Sequence, residues 1–407
     1  MKRGSTTKNA SGSQGRLSGN ASSSASKKIP PAMIASGLNG KKQGLRAEKP
    51  SALTRSSEVN RMVHAPTKAV SPLVKNGLAK KFRLDPELLV KIHDHMVKTR
   101  ALEERMIKMF KQSDGYFWLG GPGEEAFAIP LGMNGKVGQG VQYDFWHLHY
   151  RSSGILMPMG LDPMGCIRQM KNVVADPHSG GRNFANHLSI REWNVVPITS
   201  TIETQYLTSI GSAIAQKQEA KDSLTVVTGG DAGTAEGDFA SALVWSSRPG
   251  NELPLFMIVT NNSWGISTAS CTQHGDKIIA DRGKAFGIKT RQINGLDVEE
   301  SWFAIREAMD YVRTERKPFL MEATVSRMYG HSSATGANLV AGEADPIATF
   351  EEQLAAADIM TPKEMSDLRE EYNAQMMEMA KRVKEEPMPD PSTIYDYTYY
   401  GQKGRYW

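Results

Sequence analysis

Asp231 lies in the stretch GGDAGTAEGDF (229–239), directly after the apolar run LTVVT, and Asn261 and Asn262 follow a second apolar run, LFMIVT. A carboxylate, a carboxamide oxygen and the nearby backbone carbonyl of Trp264 are donors of the kind magnesium takes. The ion completes its octahedron with water and phosphate oxygens. Gly230 and Gly233 let the backbone approach a phosphate closely, and the amides around Thr234, where a helix opens, can face it. The cluster reads as a magnesium and diphosphate site. A dinucleotide site would need GxGxxG and an acid at the end of the second strand. Here the spacing is GGxxGxxxG and the second run ends in Thr260, Asn261 and Asn262, which argues against it. The bland alternative is a turn with an Asp cap and a coincidental Asn pair. Ala232 is the residue to inspect: with negative φ it leaves the amides of Gly233 and Thr234 free to face phosphate, whereas positive φ would cost about 1 kcal/mol or more.

For Asp231 and Asn262 to converge, the chain between them must run back and return. A helix of about a dozen residues spans roughly 18 Å, and the six-residue run LFMIVT spans roughly 20 Å. A right-handed crossover therefore returns Asn261 and Asn262 to the edge that Asp231 left. Further runs alternate: a helix from ETQYLTSIGSAIAQKQEAK, strand 224–228, a helix from AEGDFASALVW, strand 255–260, a helix from DVEESWFAIREAMDYVRTER and strand 319–325. The pattern predicts an α/β fold, a parallel sheet with helices on both faces, whose ligands bind at the carboxyl ends of the strands. Upstream, Asp85 caps and Pro86 opens a long amphipathic helix, or two in tandem. A glycine-proline turn leads into a helix that begins at Glu124 and Glu125, read here as carboxylates favouring the helix dipole rather than as catalysts.

The basic charge is unevenly placed. Residues 1–81 hold 16 Lys or Arg against two acids, Glu48 and Glu58, so the rest of a chain with 49 basic and 44 acidic residues is acidic. This Ser-, Gly- and Ala-rich segment lacks the apolar surface to offset its ordering entropy and is expected to be a disordered basic tail over 1–82, ahead of one domain over 83–407. A tether or partner arm is its simplest role. A transit peptide to the mitochondrial matrix is the alternative to a cytoplasmic protein. Its scarcity of aromatic residues argues against nucleic acid. The two cysteines exclude a disulfide framework, and no apolar run is long enough to span a membrane.

GDAGTAEGDF followed by NNSWGIST resembles the thiamine-diphosphate motif in the alpha subunit of the decarboxylase component of 2-oxo acid dehydrogenases. The likeness runs from about residue 84 to 395, through GPGEEAFAIPLGM, HYRSSGILM, SGGRNFANH, STIETQ, NGLDVEE, PFLMEATVSRMYGHSS and DPIATFEEQL. The resemblance implies the thiamine-diphosphate-binding fold, with thiamine diphosphate and magnesium as cofactors. It implies that Tyr150 and Arg151 contact the diphosphate, alongside Gly230, Asp231, Ala232, Gly233 and Thr234. Asp231, Asn262 and the Trp264 carbonyl would hold magnesium, and Ser200 and Ile202 would lie against the aminopyrimidine. Potassium, which some members bind, would draw on Thr199, Thr201, Thr204 and Gln205. His331 would serve as proton donor or oxyanion stabiliser, with Arg327 supporting its loop. The implied reaction is oxidative decarboxylation of a 2-oxo acid with reductive acylation of the lipoyl group on the complex's acyltransferase component. The substrate leans to a branched-chain 2-oxo acid, with pyruvate and acetoin as alternatives. The activating glutamate has no candidate in this chain. The resemblance assigns it to a beta subunit in a heterotetramer of two alpha and two beta chains. A catalytically silent regulatory or scaffolding paralogue is the competing reading. Ser332, Ser333 and Thr335 lie where some members are phosphorylated.

Overall fold

The computed structural model describes residues 81–396. The basic-tail reading therefore lies outside the described residues, apart from its last two positions. Helix α1 (Pro86–Lys111) opens as expected: the Asp85 side chain accepts from the Glu87 amide at 2.8 Å, and Pro86 needs no donor in the first turn. Leu89, Ile92, Met96, Leu102 and Met106 are all fully buried, and α1 is one unbroken helix. Helices α2 (Glu125–Met133) and α3 (Pro163–Lys171) follow, with the short strand β1 (Phe145–His147) between them.

The remaining elements alternate. They are α4 (Thr204–Glu219), β2 (Thr225–Gly230), α5 (Gly237–Ser246), β3 (Leu255–Asn261), β4 (Lys289–Asn294), α6 (Val298–Glu315) and β5 (Phe319–Thr324). The five strands form one parallel sheet in the order β1, β2, β3, β5, β4. Successive residues of the central strands feed two different cores, as a side-chain period of two requires. Val226, Phe256, Ile258, Phe319 and Met321 pack with residues of α2 and α6, and Val227, Leu255, Met257, Val259 and Leu320 pack with residues of α4 and α5. Helices thus cover both faces, as the strand and helix alternation predicts.

Two strands of this sheet escaped the sequence reading for physical reasons. β1 has three residues, too few to show a period. β4, KTRQIN, is an edge strand whose only buried residue is Ile293, so its polar composition suits an edge and hides it from a search for apolar runs. Helices α7 (Pro346–Ala356) and α8 (Pro362–Lys384) form a C-terminal helical extension. The extension is tied to α1 where Tyr372 Oη donates to Asp94 Oδ1 at 2.6 Å. No helix among the described residues is long and apolar enough to cross a membrane.

Candidate functional site

The carboxyl ends of β1, β2, β3 and β5 deliver the candidate residues to one side of the sheet. Gly230 pairs in register with Thr260, so Asp231 comes level with Asn261 and one position from Asn262. The convergence derived from element lengths is therefore present. β2 extends through Gly229 and Gly230, and the turn starts at Asp231 itself. A cleft there is lined by His149, Tyr150, Arg151, Gly230, Asp231, Ala232, Gly233, Trp264 and His331, among others.

Asp231 is 1% exposed, and neither of its carboxylate oxygens has a hydrogen-bond partner. Burial raises its carboxyl above the usual range, against the pull of Arg151 and of neighbouring backbone amides. Asn262 is also buried; its Oδ1 accepts from the Trp264 amide at 3.1 Å and its Nδ2 is unpartnered. Arg151 is held from behind, where its Nε donates to Glu124 Oε1 at 2.8 Å. Its guanidinium stands 5.0 Å from the Tyr150 ring centre, and a Cβ on Gly230 would come within 2.7 Å of an Nη atom. Gly230 is thus the residue that lets the cation reach the turn.

This corrects the dipole reading of Glu124 and Glu125. Glu124 is 3% exposed and makes no capping hydrogen bond. It is the buried partner of Arg151, and Glu125 is the buried partner of Arg100 at 2.6 Å. Burial pushes the Glu124 carboxyl up to about 7, against the opposing charge of Arg151.

Ala232 opens a single 3-10 turn, Ala232–Ala235, and is not among the positive-φ residues. The GDAG order therefore costs no backbone strain. The Thr234 amide donates to the Asp231 carbonyl at 3.2 Å and the Glu236 amide to the Gly233 carbonyl at 2.9 Å. These two amides are spent inside the turn, and α5 begins only at Gly237, which corrects the expectation that they face a ligand. The strain lies elsewhere on the rim, where Ser263 and the β-branched Ile266 take φ of 64° and 55°.

His331 lines the same cleft, edge-on to Tyr150 with ring centres 6.0 Å apart. Burial, with Arg151 and Arg327 adding to it, lowers its imidazole to about 4, so the ring is neutral near pH 7. The adjoining loop is stitched down: the Ser333 amide donates to the Trp118 carbonyl at 2.8 Å, and Ser333 Oγ accepts from the Trp118 amide at 2.7 Å. Ser332 and Ser333 are both buried, and Ser332 shares a capping box with Thr335. Arg327, on the segment between β5 and His331, donates from Nη1 to the Ile266 carbonyl at 2.7 Å, and its guanidinium lies 5.3 Å from the Trp264 ring centre. It ties the segment leading to His331 to the loop at 264–266.

The remaining candidates divide. Ile202 lines the cleft, half exposed, but Ser200 lies off it with its Oγ bonded to His187 Nε2 at 2.6 Å. Among the potassium candidates, Thr199 and Thr201 hydroxyls bond to each other at 3.3 Å and Thr204 Oγ1 donates to the Thr201 carbonyl at 3.0 Å. The Gln205 Oε1 is buried and unpartnered. Sequence reasoning missed four residues that line the cleft, Gly265 and Ile266 on its rim and the titratable His149 and Glu203. His149 is buried with its Nε2 unpartnered, and burial drives its imidazole well below the usual range. Glu203 is 2% exposed, precedes α4 with a left-handed φ of 66°, and has its carboxyl pushed by burial up to about 8. Its signal was present in TIETQ, as an acid directly before a helix in a segment otherwise read for its threonines.

Buried carboxylate oxygens without partners are expensive in an apolar surrounding. At Asp231 that cost is relieved by a divalent cation, and Arg151 beside it suits the anion the cation would bring. The residues present therefore fit magnesium with a diphosphate. A family model described as the dehydrogenase E1 component matches residues 93–392. Similar proteins include the mitochondrial 2-oxoisovalerate dehydrogenase subunit alpha 2 of Arabidopsis thaliana, 26% identical over 326 residues, covering 78% of this chain and 67% of that protein. Subunit alpha of the same enzyme from Bacillus subtilis (strain 168) is 24% identical over 318 residues, covering 76% and 94%. The mitochondrial subunit alpha of Homo sapiens is 23% identical over 329 residues, covering 78% and 71%.

Proposed function

The chain belongs to the dehydrogenase E1 component family, and from that premise we propose that it is the alpha subunit of a thiamine-diphosphate-dependent branched-chain 2-oxo acid dehydrogenase. The observation that carries this reading is the buried, unpartnered Asp231 carboxylate beside Arg151 at the carboxyl edge of a parallel sheet. The branched-chain assignment draws on the printed names of the relatives, which act on 2-oxoisovalerate.

Asp231, Asn262 and the Trp264 carbonyl are the proposed magnesium ligands. Tyr150, Arg151, Gly230, Ala232 and Gly233 surround the diphosphate, and Ile202 offers the apolar contact for the ring. When bound, thiamine diphosphate supplies the electron sink on which a 2-oxo acid loses carbon dioxide. The chain's own part is electrostatic and steric. Arg151, fixed by Glu124, holds the anionic end without needing to reorganise. His331, neutral at working pH, can donate a hydrogen bond to a developing oxyanion or pass a proton at its ring nitrogen. Buried His149 lines the same cleft beside Tyr150.

The activating glutamate is assigned to a beta subunit in an assembly of two alpha and two beta chains. The lipoyl domain of the acyltransferase component is the acyl acceptor. Intact Asp231, Arg151 and His331 disfavour a silent paralogue. The test mixes the purified chain with its beta partner, thiamine diphosphate, magnesium and an artificial electron acceptor. 3-Methyl-2-oxobutanoate should turn over faster than pyruvate, and Asp231→Ala should abolish both. Full activity of this chain alone, or a preference for pyruvate, would overturn the corresponding part of the reading.

A further inference from the structure

Glu203 is a second carboxylate in the cleft, and the fold makes specific room for it. It adopts a left-handed backbone that a non-glycine residue takes at a cost. A Cβ on Gly229 would collide with its Oε2, and one on Gly233 would collide with its Oε1. Two glycines of the GGDAG turn thus leave space for this carboxylate as well as for a ligand. The Oε2 atom is buried and has no hydrogen-bond partner, and no Lys, Arg or His forms an ion pair with Glu203 or Asp231 among the described residues.

Arg151 acts on both acids from beside the turn but forms an ion pair with neither. Arg151 is bonded to Glu124, and Arg327 is anchored on the Ile266 carbonyl. A diphosphate arriving first would meet two buried acids that Arg151 offsets only in part, and would give neither of them a positive partner. A divalent cation arriving first supplies that partner.

We propose that Glu203 joins Asp231 in holding a divalent cation in this cleft before any diphosphate is present, so that the metal loads first and the diphosphate second. This rests on the function proposed above and extends it, since the magnesium ligands named there are Asp231, Asn262 and Trp264. The donors favour a hard ion of the magnesium or manganese type. They are two carboxylates and the unpartnered Gln205 Oε1, all at least nine-tenths buried and all lining the cleft. No group of three His, Cys, Asp or Glu among the described residues could hold an ion alone, so amide or carbonyl oxygens and water complete the shell.

The test titrates manganese into the full-length chain and follows the free-ion electron paramagnetic resonance signal, first without and then with thiamine diphosphate. The parent chain should bind manganese without the cofactor. Glu203→Gln, which keeps the side chain's shape, should weaken that binding roughly 10- to 100-fold. Manganese uptake that requires thiamine diphosphate in the parent, and is unchanged in Glu203→Gln, overturns metal-first loading while the proposed function stands. No uptake under either condition, with the beta partner also present, would instead sink the proposed function. Should the variant fail to fold by circular dichroism, the titration of the parent alone decides the order of loading.

Discussion

Glu103 supports the site from one layer back and offers a quantitative test. It is fully buried on α1, where its carboxylate accepts from Ser153 Oγ at 2.5 Å, Trp118 Nε1 at 2.7 Å and Asn186 Nδ2 at 3.0 Å. All three donors are neutral, so burial prevails and the carboxyl is raised from 4.5 to about 7. An acid that holds its proton more tightly when folded stabilises fully below its unfolded pKa. That contribution is lost as pH rises through the folded value. A gap between 4.5 and about 7, at 1.36 kcal/mol per unit, amounts to about 3 kcal/mol lost across that window. Glu103→Gln does not ionise and escapes this loss. It carries a pH-independent offset of its own, because its amide NH2 must face Ser153, whose hydroxyl can turn to accept. Urea unfolding of parent and variant, followed by tryptophan fluorescence from about pH 4.5 to about pH 8, separates the two effects. The difference in unfolding free energy should move by about 3 kcal/mol in the variant's favour. A difference that stays flat across the window refutes the reasoning. The measurement bears on function because Trp118, bonded to Glu103 through its ring, pairs with Ser333 through its backbone, two residues from His331.

Asp231→Asn should stabilise the free chain by about 1 kcal/mol or more, by removing a buried unpaired charge. It should also abolish the thermal shift produced by thiamine diphosphate with magnesium; a shift equal to the parent's would exclude Asp231 as a metal ligand. Ala232→Gly should cost only about 0.5–1 kcal/mol, through unfolded-chain entropy. Gly233→Ala should cost more, about 1–3 kcal/mol, because its new methyl must displace the Glu203 carboxylate. Equal unfolding midpoints for the two variants would contradict the packing described. His331→Gln should lower turnover roughly 100-fold or more while leaving thiamine diphosphate binding intact. With its imidazole held down to about 4, the parent's rate profile should lack a His331-dependent limb near pH 6.5; finding one that disappears in the variant would reverse the assignment of a neutral ring.

The central strands and the meeting of Asp231 with Asn262 were legible because both follow from repetition. Apolar runs of strand length alternate with helices, and matched element lengths return the chain to the same edge. β4 was not legible, because an edge strand with one buried residue carries neither signal. The doubt over Ala232 is resolved by backbone geometry that no spacing reveals: the turn is 3-10, and the position tolerates a side chain. Ser200 shows the opposite limit. It lies in a matching segment, yet it faces His187.

The glutamates expose the deeper reason. Glu124, Glu125 and Glu203 stand at or directly before helix starts, where an acid needs no further account, and Glu103 stands well inside α1. In the fold they have four different fates. Glu103 is satisfied by neutral donors, Glu124 is bound to Arg151, Glu125 is bound to Arg100, and Glu203 is left with an unpartnered oxygen in the cleft. The donors to Glu103 lie 15, 50 and 83 residues away, Arg151 lies 27 from Glu124 and Arg100 lies 25 from Glu125, separations that no sequence spacing flags. Charge compensation is a property of the folded surroundings, so the same residue type yields a structural acid, a positioning acid or a metal-seeking acid. Glu203 is distinguished from the others by what the neighbouring backbone gives up for it. Gly229 and Gly233 forgo side chains and Glu203 itself accepts a left-handed conformation, which is the expense expected where a charge serves a ligand rather than the fold.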